Sequence, residues 1–268
     1  MLGYGWAMSF LALLAGAASP AVAQSAAAGY PDARAVFEEI HDRYVGKRFT
    51  HVTFLQRTEP AGGEVKLWYE AIRPLGYVRV DEAPLDARNG LMYRRDSLYV
   101  FRDGAVTFSA GNQRWITMLT LVDVYALPVD STLARLASLG VDLSTMHESE
   151  WEGRPAIVIG GAAGDTTSAQ VWYDREHLYN VRVIQPPGAS QNRVDFRMSR
   201  FQFLSGGWIE NRIDIVVGGR VVTTECYADV RAHPGLPEEL YDPATFATRL
   251  WAEEAYPDVS GPPECSPG

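Results

Sequence analysis

Cysteine is scarce: Cys226 and Cys265 are the two in 268 residues. That count excludes a CxxC redox centre and any cysteine-built zinc site. Histidine is sparse as well. His41, His51, His147, His177 and His233 form neither an HxH nor an HExxH pair. His147-Glu148-Ser149-Glu150-Trp151 begins like a zinc-binding helix but has Trp where the second His belongs. No metal site and no cofactor is therefore expected. Lys and Arg never run longer than two, as at Lys47-Arg48 and Arg94-Arg95, and 24 basic side chains stand against 33 acidic ones. A nucleic-acid binder would show a basic face, so no nucleic-acid partner is expected.

Catalytic motifs are lacking too. No G-x-S-x-G elbow occurs. Gly160-Gly161-Ala162-Ala163-Gly164 follows a strand pattern, but the next segment is again strand-like. It reads as a wide hairpin loop rather than a phosphate cradle, which needs a helix N-terminus. No spacing singles out a carboxylate pair. A non-enzymatic protein is expected. A secreted enzyme stays open as the lesser alternative, because triads assemble in space.

Long apolar runs are missing except at the start. Trp6 to Ala18 is apolar, and Ala21-Val22-Ala23 before Gln24 fits an A-x-A cleavage site. Residues 1–23 are expected to be a signal peptide, although no Lys or Arg precedes the apolar stretch. Its length falls short of the ~20 residues a span needs. The mature chain is expected to be exported and soluble. In an oxidising compartment Cys226 and Cys265 can pair, closing a loop of about 40 residues. The alternative is a buried Cys226 with a disordered Cys265.

Periodicity then takes over. Pro31 to Tyr44 reads as a helix, with Ala35, Val36, Phe37, Ile40 and Tyr44 near three- and four-residue spacing. Period-two strands follow from His51, with Ala61-Gly62-Gly63, Pro74-Leu75-Gly76 and Asp103-Gly104 as turns. Two helices interrupt them: Trp115 to Leu127, and Ser131 to Leu139 with Asp130 as its cap. Strands resume at His147, and the last three are expected at 193–203, 208–217 and 221–231. Short turns imply antiparallel neighbours. The expected fold class is α+β: one large curved antiparallel sheet, an incomplete β-barrel, covered by a few helices. One domain is expected over 24–246, then a frayed Pro-rich tail over 247–268.

Aromatic residues are plentiful, with seven Trp, thirteen Tyr and ten Phe. Alternation places Val65, Leu67, Tyr69, Ala71 and Arg73 on one face of the second strand. Phe54, Phe101, Trp115, Phe196 and Met198 are further candidates for an apolar concave face. That face is either a packed core or a pocket for a greasy ligand, and composition does not separate the two.

Leu67-Trp68-Tyr69-Glu70-Ala71-Ile72-Arg73-Pro74 resembles the "LW…RP" hairpin of the LolA/LolB-like family of periplasmic lipoprotein carriers. Ser97-Leu98-Tyr99-Val100-Phe101 is similar to the family's "TLWFYN" strand. Trp151-Glu152-Gly153-Arg154, Gly160, Gly164-Asp165 and Val171-Trp172-Tyr173-Asp174 resemble outer-membrane-lipoprotein-sorting relatives. The match spans residues 31–246. Trp68 stands further from Pro74 than in the carriers, and the chain is longer. The resemblance implies an incomplete barrel with a helical lid, here Trp115 to Leu139, that holds lipid or lipoprotein acyl chains. It implies that Arg73, before Pro74, hydrogen-bonds to the lid. It also implies a monomeric periplasmic carrier that receives cargo at an inner-membrane release complex and yields it to an outer-membrane acceptor. The rival is an envelope protein-interaction module whose sheet is filled solid.

Overall fold

The computed structural model describes residues 29–111, 116–186, 193–259 and 261–265. The expected leader at 1–23 and Trp115 lie outside them. Helix α1 (Ala33–Tyr44) begins where the Asp32 side chain accepts the Ala35 amide at 2.9 Å. Six strands follow: β1 (His51–Pro60), β2 (Lys66–Arg73), β3 (Tyr77–Glu82), β4 (Asn89–Arg94), β5 (Ser97–Arg102) and β6 (Ala105–Ala110). Helices α2 (Ile116–Leu121) and α3 (Val129–Ser138) come next, joined through a 3-10 turn at Asp123–Tyr125. The chain returns through β7 (Met146–Trp151), β8 (Arg154–Ile159), β9 (Gln170–Asp174), β10 (Asn180–Gln185) and β11 (Val194–Ser199). It ends with β12 (Gln202–Leu204), β13 (Gly207–Ile209), β14 (Arg212–Val217), β15 (Arg220–His233) and α4 (Trp251–Ala255).

Thirteen strands make one sheet in the order β6-β5-β4-β3-β2-β1-β15-β14-β11-β10-β9-β8-β7. Each ladder is antiparallel, and the sheet does not close, since β6 and β7 are its two ends. The long β15 pairs with β1 on one side and β14 on the other, so it joins the two meanders. Bulges between Thr53 and Leu55 and between Ile215 and Val216 flank it. Such insertions increase local twist, which bends the sheet into a trough.

The two halves of the trough are filled differently. Over the second half, α1 lays Val36, Phe37 and Ile40 against Ile157, Val171, Tyr173 and Val183. Phe37 meets Tyr173 edge-on at 5.7 Å. This is a solid core. Over the first half, α2 is the cover, and packing is incomplete.

Several expectations need correction. Asp130 does not cap α3; Pro128 stands at that position, and the Asp130 carboxylate instead accepts from Arg34 Nη2 at 2.7 Å. The strand expected over 193–203 breaks at Arg200, whose φ is +58°, and that over 208–217 breaks before Arg212. The freed pieces pair as β12 and β13, a separate hairpin. The tail expected to fray packs instead. Its Trp251, Ala252 and Tyr256, with Leu240 and Tyr241 just before it, cover Leu55, Leu67, Tyr69, Ala71 and Tyr77 on the convex side of the sheet. Cys226 of β15 is bonded to Cys265, with Cα atoms 5.6 Å apart.

Arg79 explains why that segment holds. It is 1% exposed. Its guanidinium forks onto Asp81 at 2.8 and 2.9 Å. It also donates to the carbonyls of Phe246 and Arg249, both at 2.9 Å. Trp251 Nε1 reaches the same Asp81 carboxylate at 2.7 Å. Arginine supplies donors in enough directions to satisfy several acceptors at once. Phe246 then stacks on Phe101 with centroids 3.8 Å apart.

Candidate functional site: a cavity under helix α2

Alternation along β1 turns Val52, Phe54 and Gln56 into the trough, and along β2 Trp68, Glu70 and Ile72. Val78 and Val80 of β3, Glu225 and Tyr227 of β15, Ile213 and Ile215 of β14 and Phe196 of β11 continue the wall. Thr117, Met118 and Leu121 of α2, with Val122, form the roof, and Arg48, Phe49 and Glu210 one end. Together they bound a cavity of about 100 Å³. The walls are mainly apolar, as ligand cavities are.

An outer groove of about 760 Å³ runs between the β2–β3 turn and the 3-10 turn after α2. Thr50, Arg73, Tyr77, Leu119, Asp123, Leu127 and Arg135 are among its walls. Met118 borders both the groove and the cavity. It is therefore the shared wall between inside and outside. A flexible thioether suits that position, because it can swing without breaking a polar contact.

Two polar contacts fasten the roof. Asp123 accepts the Leu75 amide at 2.6 Å and the Gly76 amide at 3.3 Å. Burial pushes its pKa up to about 6, against the pull of the Leu75 amide and Arg135. At the other end, Arg48 Nη2 donates to the carbonyls of Leu121 and Trp208, each at 3.2 Å. The Arg48 guanidinium lies 3.9 Å from the Phe49 ring centre and 4.4 Å from that of Tyr125. Its stem is pressed by the β12–β13 turn. A Cβ on Gly207 would sit 2.3 Å from Arg48 Cγ, so glycine is required for that approach.

The charged groups lining the cavity are one guanidinium and three carboxyls, beside the polar side chains of Gln56, Trp68, Thr117 and Tyr227. Glu70 is 7% exposed. Burial raises its pKa well above the ordinary carboxyl range, and the nearby Glu225 charge adds to that. Burial likewise pushes Glu210 up to about 7, partly offset by its own amide and Arg48. Glu225 also rises to about 7 through burial and then the Glu210 charge, while hydrogen bonds from Tyr227 and Gln56 pull the other way.

The expected site residues divide. Phe54 and Phe196 line the cavity, and Phe54 stacks on Tyr227 at 4.3 Å. Met198 lies in the solid core under α1. Leu67 and Tyr69 are on the opposite, convex face under the C-terminal segment, and Phe101 stacks there on Phe246. Val65 precedes β2 and is 39% exposed. The parity of β2 is thus the reverse of that expected: Trp68, Glu70 and Ile72 face the cavity. Among the described residues, Arg73 has no hydrogen bond to the lid helices. Its guanidinium lies over Tyr77 at 3.7 Å and near Glu238 at 3.7 Å. Arg48 instead makes the contact with α2. The sequence signal for Glu70 was its own alternation with Trp68 and Ile72. It was masked because the other parity of the same strand is equally apolar.

No family model matches the sequence, and no curated protein matches it. Solved structures do share the architecture. A domain from Vibrio parahaemolyticus named for outer membrane lipoprotein sorting superposes with a TM-score of 0.54. The two chains are 11% identical over 80% of this one and 97% of the other. The fold is LolA-like. A DUF1329 family protein from Desulfovibrio piger gives the same TM-score of 0.54 at 11% identity, over 80% of this chain and 97% of its own. A LolA superfamily protein from Nitrosomonas europaea is 13% identical over 78% of this chain and 97% of its own, with a TM-score of 0.48. Among the described residues, no helix is long and apolar enough to cross a membrane.

Proposed function

We propose that this chain is a non-enzymatic periplasmic carrier that binds a lipid or lipoprotein acyl chain in the cavity under α2, for delivery toward the outer membrane. The observation that carries the reading is Met118, which separates an apolar cavity from an open groove. An entering chain displaces the roof rather than the sheet. Burial contributes about 0.8 kcal/mol per methylene. Each roof hydrogen bond contributes roughly 0.5–1.5 kcal/mol net, or up to about 3 where a charge is involved. A chain of a dozen carbons gains about 10 kcal/mol on that scale, comparable with the upper figure for the roof hydrogen bonds together. Loading at an inner-membrane release complex and unloading at an outer-membrane acceptor are the partner steps this reading calls for.

Native mass spectrometry of protein purified without detergent tests the reading. A bound mass in the lipid range, removed by organic extraction, supports it. Protein without such a mass that also takes up no fluorescent alkanol overturns it. Glu70 and Glu225 favour a second reading, an acid–base enzyme working on a bound chain. Chemical conversion of an added alkyl substrate, lost in Glu70→Gln, is the result that establishes it.

A further inference from the structure

We infer that the cavity selects an amphiphile bearing a protonated amine, whose ammonium seats between Glu70 and Glu225 while its chain lies against Phe54, Ile72 and Val80. The inference rests on the carrier reading above and names the class of ligand.

The argument begins with Glu70. It stands on β2 between the cross-strand neighbours Phe54 and Val80, and it opens into the cavity. Among the described residues its carboxyl has no hydrogen-bond or ion-pair partner. A buried polar group in that condition is costly to keep and demands an explanation. Glu225 enters from β15, beside Gln56 and Tyr227. Among the described residues, neither carboxyl has a cation acting on it.

Charge matching then separates the two ends. Arg48 is the cavity's cation, and it is electrostatically coupled to Glu210. Glu225 feels the Glu210 charge in turn, Glu70 feels that of Glu225, and Arg48 acts on neither of these two. Among the described residues, three carboxyls thus share one guanidinium, which lies at the Glu210 end of the cavity. An ammonium has three donors and one positive charge. It would supply both carboxyls with a hydrogen bond and let them ionise. An anionic head would place a fourth acid among three. Its one attraction is Arg48, whose Nε and Nη1 are also without partners.

Binding is then coupled to protons. The groups facing the ammonium are Glu70, Glu225 and Tyr227, with Glu210 and Arg48 behind them. Burial favours the neutral form of both carboxyls and an ammonium favours the ionised form, so seating it expels protons.

The test uses the exported chain and three probes of one chain length, dodecylamine, dodecanol and dodecanoate, each below its micelle concentration. Isothermal titration is run in buffers of differing ionisation enthalpy. The expected result is that the amine binds about tenfold or more tighter than the alcohol, and the carboxylate weakest. The amine releases protons and the alcohol releases none. The Glu70→Gln/Glu225→Gln double variant binds amine and alcohol alike. Equal amine and alcohol affinity in the native chain, amine binding without proton release, or tightest binding of the carboxylate overturns the inference and leaves the carrier reading standing. Refusal of all three probes overturns both.

Discussion

Asp123 accepts the Leu75 amide at 2.6 Å, and through that bond the turn after α2 is tied to the β2–β3 turn. The two residues lie 48 positions apart in sequence. Asp123 is 4% exposed, so the contact is shielded from competing water.

Removing this tether loosens the roof without touching the cavity walls. Asp123→Ala is expected to lower stability by about 1–3 kcal/mol, since two backbone donors lose their acceptor. Hydrogen exchange at Leu75 and Gly76 is expected to accelerate, while α1 stays protected. Asp123→Asn keeps an acceptor and is expected to fall between. Unchanged exchange at both amides in Asp123→Ala would show that the tether does not hold the roof.

Arg48 and Arg73 offer a paired comparison. The resemblance placed the lid contact at Arg73, whereas the structure shows Arg48 Nη2 on the Leu121 carbonyl. Arg48→Leu is expected to speed dissociation of a bound fluorescent alkanol by about tenfold. Arg73→Leu is expected to leave it within about twofold, because Arg73 packs on Tyr77 instead. Stopped-flow displacement measures both. The opposite ranking would return the latch to Arg73.

Stability is expected to fall as pH rises through neutrality. Glu210 and Glu225 have pKa values raised from 4.5 to about 7, and Glu70 is raised well above 4.5 in the same direction. The folded chain keeps protons there that the unfolded chain gives up. Their contribution is complete below about pH 4.5 and is lost as pH climbs through about 7. Asp123, at about 6, acts in the same sense. His51 and His233, lowered by burial, act in the opposite one. Urea unfolding at about pH 5.5 is expected to give a higher midpoint than at about pH 8.5. The difference should shrink in Glu70→Gln/Glu225→Gln. A larger difference in that variant would contradict the assignment.

Arg79 anchors the C-terminal segment, and its loss strands Asp81 without its guanidinium. Arg79→Met is expected to cost about 3–5 kcal/mol, as for other broken buried ion pairs. Limited proteolysis is expected to cut first between Phe246 and Tyr256. The Cys226–Cys265 bond should hold the cut piece until reductant is added. Wild-type resistance in the variant would mean that aromatic packing alone secures the segment.

The sequence by itself determined the elements. Alternation marked the strands, Asp103-Gly104 marked a hairpin, and apolar spacing marked α1. Short turns then made antiparallel pairing the natural outcome. The sequence did not decide which face of β2 looks inward. Leu67, Tyr69 and Ala71 on one parity and Trp68 and Ile72 on the other are all apolar. Apolar patterning reports that a face is covered, not what covers it. Here the C-terminal segment covers the convex face, and α2 covers the concave one. Tertiary structure alone decided that. It also brought Glu70, Glu210 and Glu225 to one cavity from distant strands, because β15 crosses the whole chain to pair with β1. Local sequence has no term for a neighbour that long-range pairing supplies.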